Sequence, residues 1–353
     1  MSNQSKKGIL RRGWTASVDD YAISGGWSLG GEVLMVADAS GGIFAFEGKS
    51  GDVLWSQQKV HEGSGLATSI HPSGTKFATA GKDGKVLVWD VSKGNVMQTL
   101  DAGSGWVENV VWSPDGQWLA ASCSRQVRVF NEDGQEIWQS DDHPSTVSTI
   151  AWSGSTELAT ACYGRVSFFE AASGKLSQKL EWQGSLVSMV LSPDGDIVAC
   201  GSQDNTVHFW RRSSGKDSMM SGYAGKPSAL AFSANGILLA TGGGQDVTVW
   251  SFQGDGPEGT EPGFLEFHEQ PITTLTFACR GMNLASGSRD GEVAVWSLKS
   301  GKQGKGIGVA DATDAVSQLY WRPDDRALAA LDAQGCITAV SYTHLTLPTT
   351  YSV

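Results

Sequence analysis

One hairpin-shaped stretch returns along the chain and restricts the fold more than any other feature. Residues 284–297 read LASGSRDGEVAVWS: a short strand of small and apolar residues, a turn at Arg289-Asp290-Gly291, and a second strand in which Val293 and Val295 flank Ala294. Residues 76–90 (KFATAGKDGKVLVWD), 117–130, 196–210 and 236–250 repeat it. Strands of this kind end at Phe46, Trp89, Phe130, Phe169, Trp210, Trp250, Trp296 and Val340, so eight units follow one another at about 42 residues. Each unit opens with an apolar strand. A turn such as Ser113-Pro114-Asp115-Gly116 or Ser192-Pro193-Asp194-Gly195 follows, with Pro setting φ and Gly accepting a positive φ. The hairpin comes next, and a more exposed fourth strand closes the unit, as at residues 53–57, 96–100, 136–139 and 176–180. Four strands at this period predict a propeller blade.

The units resemble the WD40-repeat family, including its short bacterial-type members, and the resemblance covers residues 21–340. Trp89-Asp90 is the pair that gives the family its name; elsewhere the Asp is replaced, as in Phe46-Glu47, Trp210-Arg211 and Trp296-Ser297. The resemblance implies an all-β fold, a β-propeller of four-stranded antiparallel blades. The unit count predicts eight blades, with seven, the commonest number in the family, as the alternative. The expected organisation is an N-terminal segment at 1–20, a propeller at 21–341 and a non-native tail at 342–353, which reads like translated adapter sequence. Residues 8–14 are expected to add an outer strand to the last blade and so close the ring.

The family also implies a buried hydrogen-bonded tetrad per blade. It carries over completely to His61, Thr79, Asp83 and Trp89, and to His268, Ser286, Asp290 and Trp296. The fifth unit keeps Asp204 and Trp210 but has Cys200 at the hydroxyl position, and the fourth keeps His143 but has Tyr163 in place of the Asp. These His, Ser/Thr and Asp residues are read as structural, because an unpaired buried polar group costs about 1–3 kcal/mol. His208 is expected to point outward from its strand, and His71 to sit at a turn.

Composition narrows the function. Fourteen Trp and 45 Gly among 353 residues suit many short strands, and a net charge of −11 disfavours sequence-independent nucleic-acid binding, which needs a basic stripe. Arg211-Arg212 and the Lys6-Lys7, Arg11-Arg12 cluster are read as solvated patches. Five unclustered Cys argue for a reducing compartment, and no long apolar run argues for a membrane or an exported protein, so a cytoplasmic location is expected. Cys123 and Cys162 occupy equivalent places in adjacent units, but no four-ligand metal set accompanies them. No nucleophile, P-loop or metalloprotease motif is present, so neither catalysis nor a cofactor is expected.

The function this implies is a non-catalytic scaffold that docks a protein or peptide on the top face around the channel. By offset from each terminal aromatic, the face is assigned to Tyr21 with Ile23, Leu66, Lys82, Trp106, Glu108, Gln203, Lys226, Thr273 and Arg289. Trp106 stands outside the core-aromatic positions, and Lys82, Lys226 and Arg289 predict a basic rim suited to an acidic peptide. The Pro/Gly-rich insertion at 250–269 is expected to project from the ring without ladder strands. Two alternatives remain. Residues 46–55 and 130–138 resemble the tryptophan-docking repeats of quinoprotein dehydrogenases, which implies a channel holding a quinone and Ca²⁺; the other is a structural subunit of a larger complex.

Overall fold

The computed structural model describes residues 10–254 and 256–341, and within them each repeat folds as its pattern dictates. In the second repeat Gly65–Ile70, Lys76–Gly81, Lys85–Asp90 and Val96–Asp101 pair antiparallel in chain order. The middle strands are buried almost throughout, while Val96–Asp101 is largely exposed. A strand covered on both faces reads as a continuous apolar run, and the small Ala78, Thr79 and Ala80 let the neighbouring sheets approach. The turns carry the chemistry expected of them. Ser113 Oγ donates to Asp115 at 2.6 Å and accepts from the Trp118 amide at 3.0 Å. Gly116 has φ +76°, and a Cβ there would lie 2.3 Å from His71 Nε2.

The repeat count predicts eight separate blades; the strands instead form seven hydrogen-bonded sheets, six with four strands and one with six. The fourth and fifth repeats share the six-stranded sheet. Strand Leu176–Leu191 pairs through residues 176–185 with Glu157–Glu170, then through residues 186–191 with Ile197–Ser202. Between the second and third repeats, residues 102–106 (AGSGW) break the ladder; the corresponding EWQGS at 181–185 contains a single Gly and stays extended.

The ring closes through the chain's beginning. Arg11–Ser17 pairs antiparallel with Cys336–Ser341 and completes the sheet of Val316–Trp321 and Ala327–Asp332. Of the closing strand expected at 8–14, Gly8 and Ile9 lie outside the described residues, as does the tail at 342–353. This last sheet meets the first through Ser317 Oγ, which donates to the Ala22 carbonyl at 2.7 Å, and Trp27 Nε1, which donates to the Tyr320 carbonyl at 3.0 Å.

Three of the tryptophans that bond a neighbouring sheet also lay their rings on a glycine of that sheet. Trp14, Trp55 and Trp138 donate through Nε1 to the carbonyls of Gly48, Val91 and Ala171 at 3.1, 2.8 and 2.7 Å. Their rings lie on Gly51, Gly94 and Gly174, where a Cβ would come within 2.4–2.6 Å. The docking spacing at 46–55 and 130–138 supplies two of them, and Trp14 is the third.

Three sequence expectations are corrected. The insertion at 250–269 does contribute a ladder strand: Gly263–Leu265 pairs with Val247–Ser251, because Gly263, Phe264 and Leu265 each offer an N–H, and Pro257 is buried. His208 points inward and is 1% exposed, stacked on Trp182 with ring centroids 3.8 Å apart. Arg211-Arg212 is no solvated patch. Arg212 bonds Glu157, Gln178, Ser153 and the Gly195 carbonyl, and its guanidinium lies 3.7 Å from the centre of the Phe168 ring.

Candidate partner-docking face

The two complete tetrads assemble. His61 Nδ1 lies 3.1 Å from Asp83, and its Nε2 lies 2.9 Å from Thr79 Oγ1, which accepts from Trp89 Nε1 at 3.0 Å. A neutral imidazole satisfies the whole chain: Trp89 donates to Thr79, Thr79 to His61 Nε2, and His61 Nδ1–H to Asp83. Burial pushes the His61 pKa down, against the pull of Asp83. Burial acts upward on Asp83, but His61 and the amides of Lys85 and Glu62 outweigh it and hold the carboxyl below its ordinary range. In the other tetrad His268 Nε2 lies 2.8 Å from Ser286 Oγ, which accepts from Trp296 at 3.0 Å. Asp290 is 3.6 Å from His268 Nδ1 and takes the Glu269 and Glu292 amides and the Ser288 hydroxyl. His268, Asp290 and Glu292 bring ligand atoms within 4.8 Å of one another, but this Asp290 is already committed to those donors.

The incomplete tetrads hold substitutes that the sequence alone did not reveal. In the sixth repeat Tyr223 takes the histidine's place: Trp250 Nε1 donates to its hydroxyl at 2.9 Å, and that hydroxyl meets Thr241 Oγ1 at 2.8 Å. Tyr223 precedes Thr241 by the same 18 residues that separate His61 from Thr79, so the spacing was the available signal. In the fourth repeat His143 Nε2 meets Thr160 at 2.9 Å and Nδ1 meets the Arg125 carbonyl at 3.0 Å, while Tyr163 is exposed. In the fifth, Asp204 accepts from Thr206 at 2.7 Å and Cys200 is buried.

The face residues fall into three groups. Tyr21, Gln203, Lys226, Thr273 and Arg289 line one cavity of about 1350 Å³. It draws on the first, fifth, sixth, seventh and last repeats, as a channel mouth must. Within it Tyr21, Gln203, Lys226 and Arg289 are exposed. Thr273 is committed elsewhere: its hydroxyl is 2.6 Å from the Val316 carbonyl and fastens two sheets. Lys82 and Trp106 form a second group, with Nζ 4.4 Å from the ring centre and Trp106 54% exposed. Leu66, Ile23 and Glu108 join neither group; Glu108 is exposed and the other two half-buried. Asp246 also lines the mouth, so its charge is mixed rather than purely basic.

Comparison with known proteins agrees with this architecture. A model described as WD domain, G-beta repeat matches residues 94–131, 174–211 and 259–297. A second, described as outer membrane protein assembly factor BamB, matches residues 11–109, the region holding Trp14 and Trp55. The human serine-threonine kinase receptor-associated protein is 26% identical over 294 residues, 82% of each chain. Telomerase protein component 1 of Mus musculus is 25% identical over 326 residues, which are 90% of this chain and 12% of that protein; for the Rattus norvegicus counterpart the share is 10%. The chain thus spans about a tenth of the telomerase components it matches. Among solved structures, the computationally designed Ika8 protein superposes with a TM-score of 0.81 at 19% identity, covering 94% of this chain and all of that one.

Proposed function

We propose, for a chain that belongs to the WD40-repeat family of β-propellers, that it works as a non-catalytic scaffold that docks a protein or peptide at the channel mouth. The observation that carries the reading is the mouth itself. A cavity of about 1350 Å³ is framed by five sheets of a fastened ring, with exposed Lys226, Arg289, Gln203 and Tyr21 at its edge. A preorganised frame loses little conformational entropy on binding, and aromatic and Arg side chains are the usual anchors. Lys82 and Trp106 extend the surface over the second and third repeats. The likeness at residues 11–109 is accounted for by interlocking tryptophans and needs no quinone.

The ring is read as eight blades across its seven sheets. Supporting this, residues 157–161 of the six-stranded sheet pair with Thr149–Ser153 while residues 163–169 pair with residues 176–185, with Gly164 at φ +85° between them. The cytoplasm is the proposed location. The free thiols of Cys123, Cys162 and Cys200 are buried, and no helix of the described residues is long and apolar enough to cross a membrane.

Affinity capture from native lysate with the parent and a Lys82→Glu/Trp106→Ala/Arg289→Glu variant tests the reading. Both are first shown to be folded by circular dichroism. The partner held by the parent is expected to fall by about tenfold or more with the variant, the scale of a lost hot spot. Equal capture by both would move the site off this face.

A further inference from the structure

A second surface is written into the sixth repeat; it opens into the channel mouth, and its charged end rests on the reading of that mouth as a docking site. A pocket of about 460 Å³ lies at the rim between the fifth and sixth repeats, walled by Phe209, Met219, Trp250 and Phe264 and edged by Glu258 and Glu261. Among the described residues no Lys or Arg lines it. Met219 is 48% exposed and Phe264 56%, large values for apolar side chains. The rim pocket and the channel mouth share Gly222, Tyr223, Thr248 and Phe264, so they form one groove running from the rim inward.

The strand register explains the charge along that groove. Thr248 pairs with Phe264 and Val247 with Leu265. Asp246 and Glu266 follow directly at the end of this ladder, where the two chains leave it side by side, and Asp246 lines the groove. Burial and the charge of Glu266 both push the Asp246 pKa upward. Like charges held side by side repel, and a cation between them removes that cost. The cations near the groove are held from outside or lie at its far end. Lys302 Nζ bonds the Glu261 carbonyl, Arg211 pairs with Asp196, and Lys226 and Arg289 stand at the mouth.

We propose that this groove docks an extended peptide carrying a lysine or arginine beside an apolar side chain. The apolar side chain fills the rim pocket against Met219 and Phe264. The cation sits between Asp246 and Glu266, within reach of the exposed Phe264 ring. The acidic edge of Glu258 and Glu261 attracts the same charge.

The test is selection of a displayed random peptide library on the intact protein, with the winning peptide then synthesised and titrated by fluorescence anisotropy. The expected winners pair a basic residue with a neighbouring Leu, Met or Phe. Affinity is expected to drop about tenfold with Asp246→Lys/Glu266→Lys and with Phe264→Ser, and to change less than about twofold with Lys93→Ala, an exposed position on the second repeat. Circular dichroism and melting temperature check that each variant is folded, and Asp246→Asn/Glu266→Gln repeats the test without charge reversal. Winners without the basic–apolar pair, winners indifferent to the Asp246 and Glu266 changes, or no enrichment at all would overturn the proposal. Winners sensitive only to Arg289→Glu would place binding at the mouth instead.

Discussion

Arg212→Ala is expected to lower stability by about 3 kcal/mol, the low end of what removing one partner from a buried ion pair costs. The guanidinium makes a 2.8 Å bond to Glu157 and a 2.7 Å bond to Gln178, and reaches Ser153 and the Gly195 carbonyl at 3.2 and 3.3 Å. The two charged side chains are 16% and 25% exposed, so solvent screens the pair only in part. Truncation would leave Glu157 with the Ser177 hydroxyl as its remaining side-chain partner and strip the cover from Phe168. All of these contacts except the Gly195 bond join the fourth repeat to the fifth, the place where two repeats share one sheet. Arg212→Lys is expected to recover less than half of the loss, because an ammonium cannot serve a fork of acceptors and an aromatic face together. Urea titration followed by tryptophan fluorescence measures both. A loss under about 1 kcal/mol, the range of exposed pairs, would show that the network is a surface ornament.

The same residue shows where sequence reading stops. Beside Arg211, and in a turn after a terminal aromatic, Arg212 looks solvated; its partners Glu157 and Gln178 are remote in sequence and nothing local announces them. What was legible depends on fixed offsets within one unit. His61, Thr79, Asp83 and Trp89 lie within a single meander, so their spacing sufficed to place them together. Contacts between units were legible only where the residue type itself carried the signal, as Trp55 and Trp138 did; the Thr273 hydroxyl, spent on the next sheet's carbonyl, gave none. Strict alternation points His208 outward, but its strand is covered on both faces, so neither side is outward. The merged sheet has a different cause: the repeat period presumes a break between units, and EWQGS makes none.

Acidification is expected to destabilise the protein steeply, and the buried histidines set the sign. His61, His143 and His208 are 2%, 1% and 1% exposed, and burial is the largest influence on each, pushing every pKa below the ordinary value. For His61 the opposing groups are Asp83 upward and Lys85 downward; for His143, Asp142 and the Arg125 carbonyl upward, Arg125 and Arg165 downward. His208 faces Asp217 at 3.1 Å and Asp204, with Trp182 and Trp210 packed on its ring. The unfolded chain takes up these protons near pH 6.5, while the folded chain resists them until lower pH. Stability is therefore whole above about pH 6.5 and falls as pH drops toward the folded-state values, by about 1.4 kcal/mol per pH unit for each histidine in that window and up to about 4 for the three together. Below it the paired carboxyls, held low in the folded state, add their own loss as they protonate. Urea midpoints taken from about pH 7.5 down to about pH 5 read the slope, and His143→Gln is expected to reduce it by about a third. A midpoint that stays level across that range would mean the imidazoles protonate in place, and that the donation chain from Trp89 through Thr79 to His61 does not hold its histidine neutral.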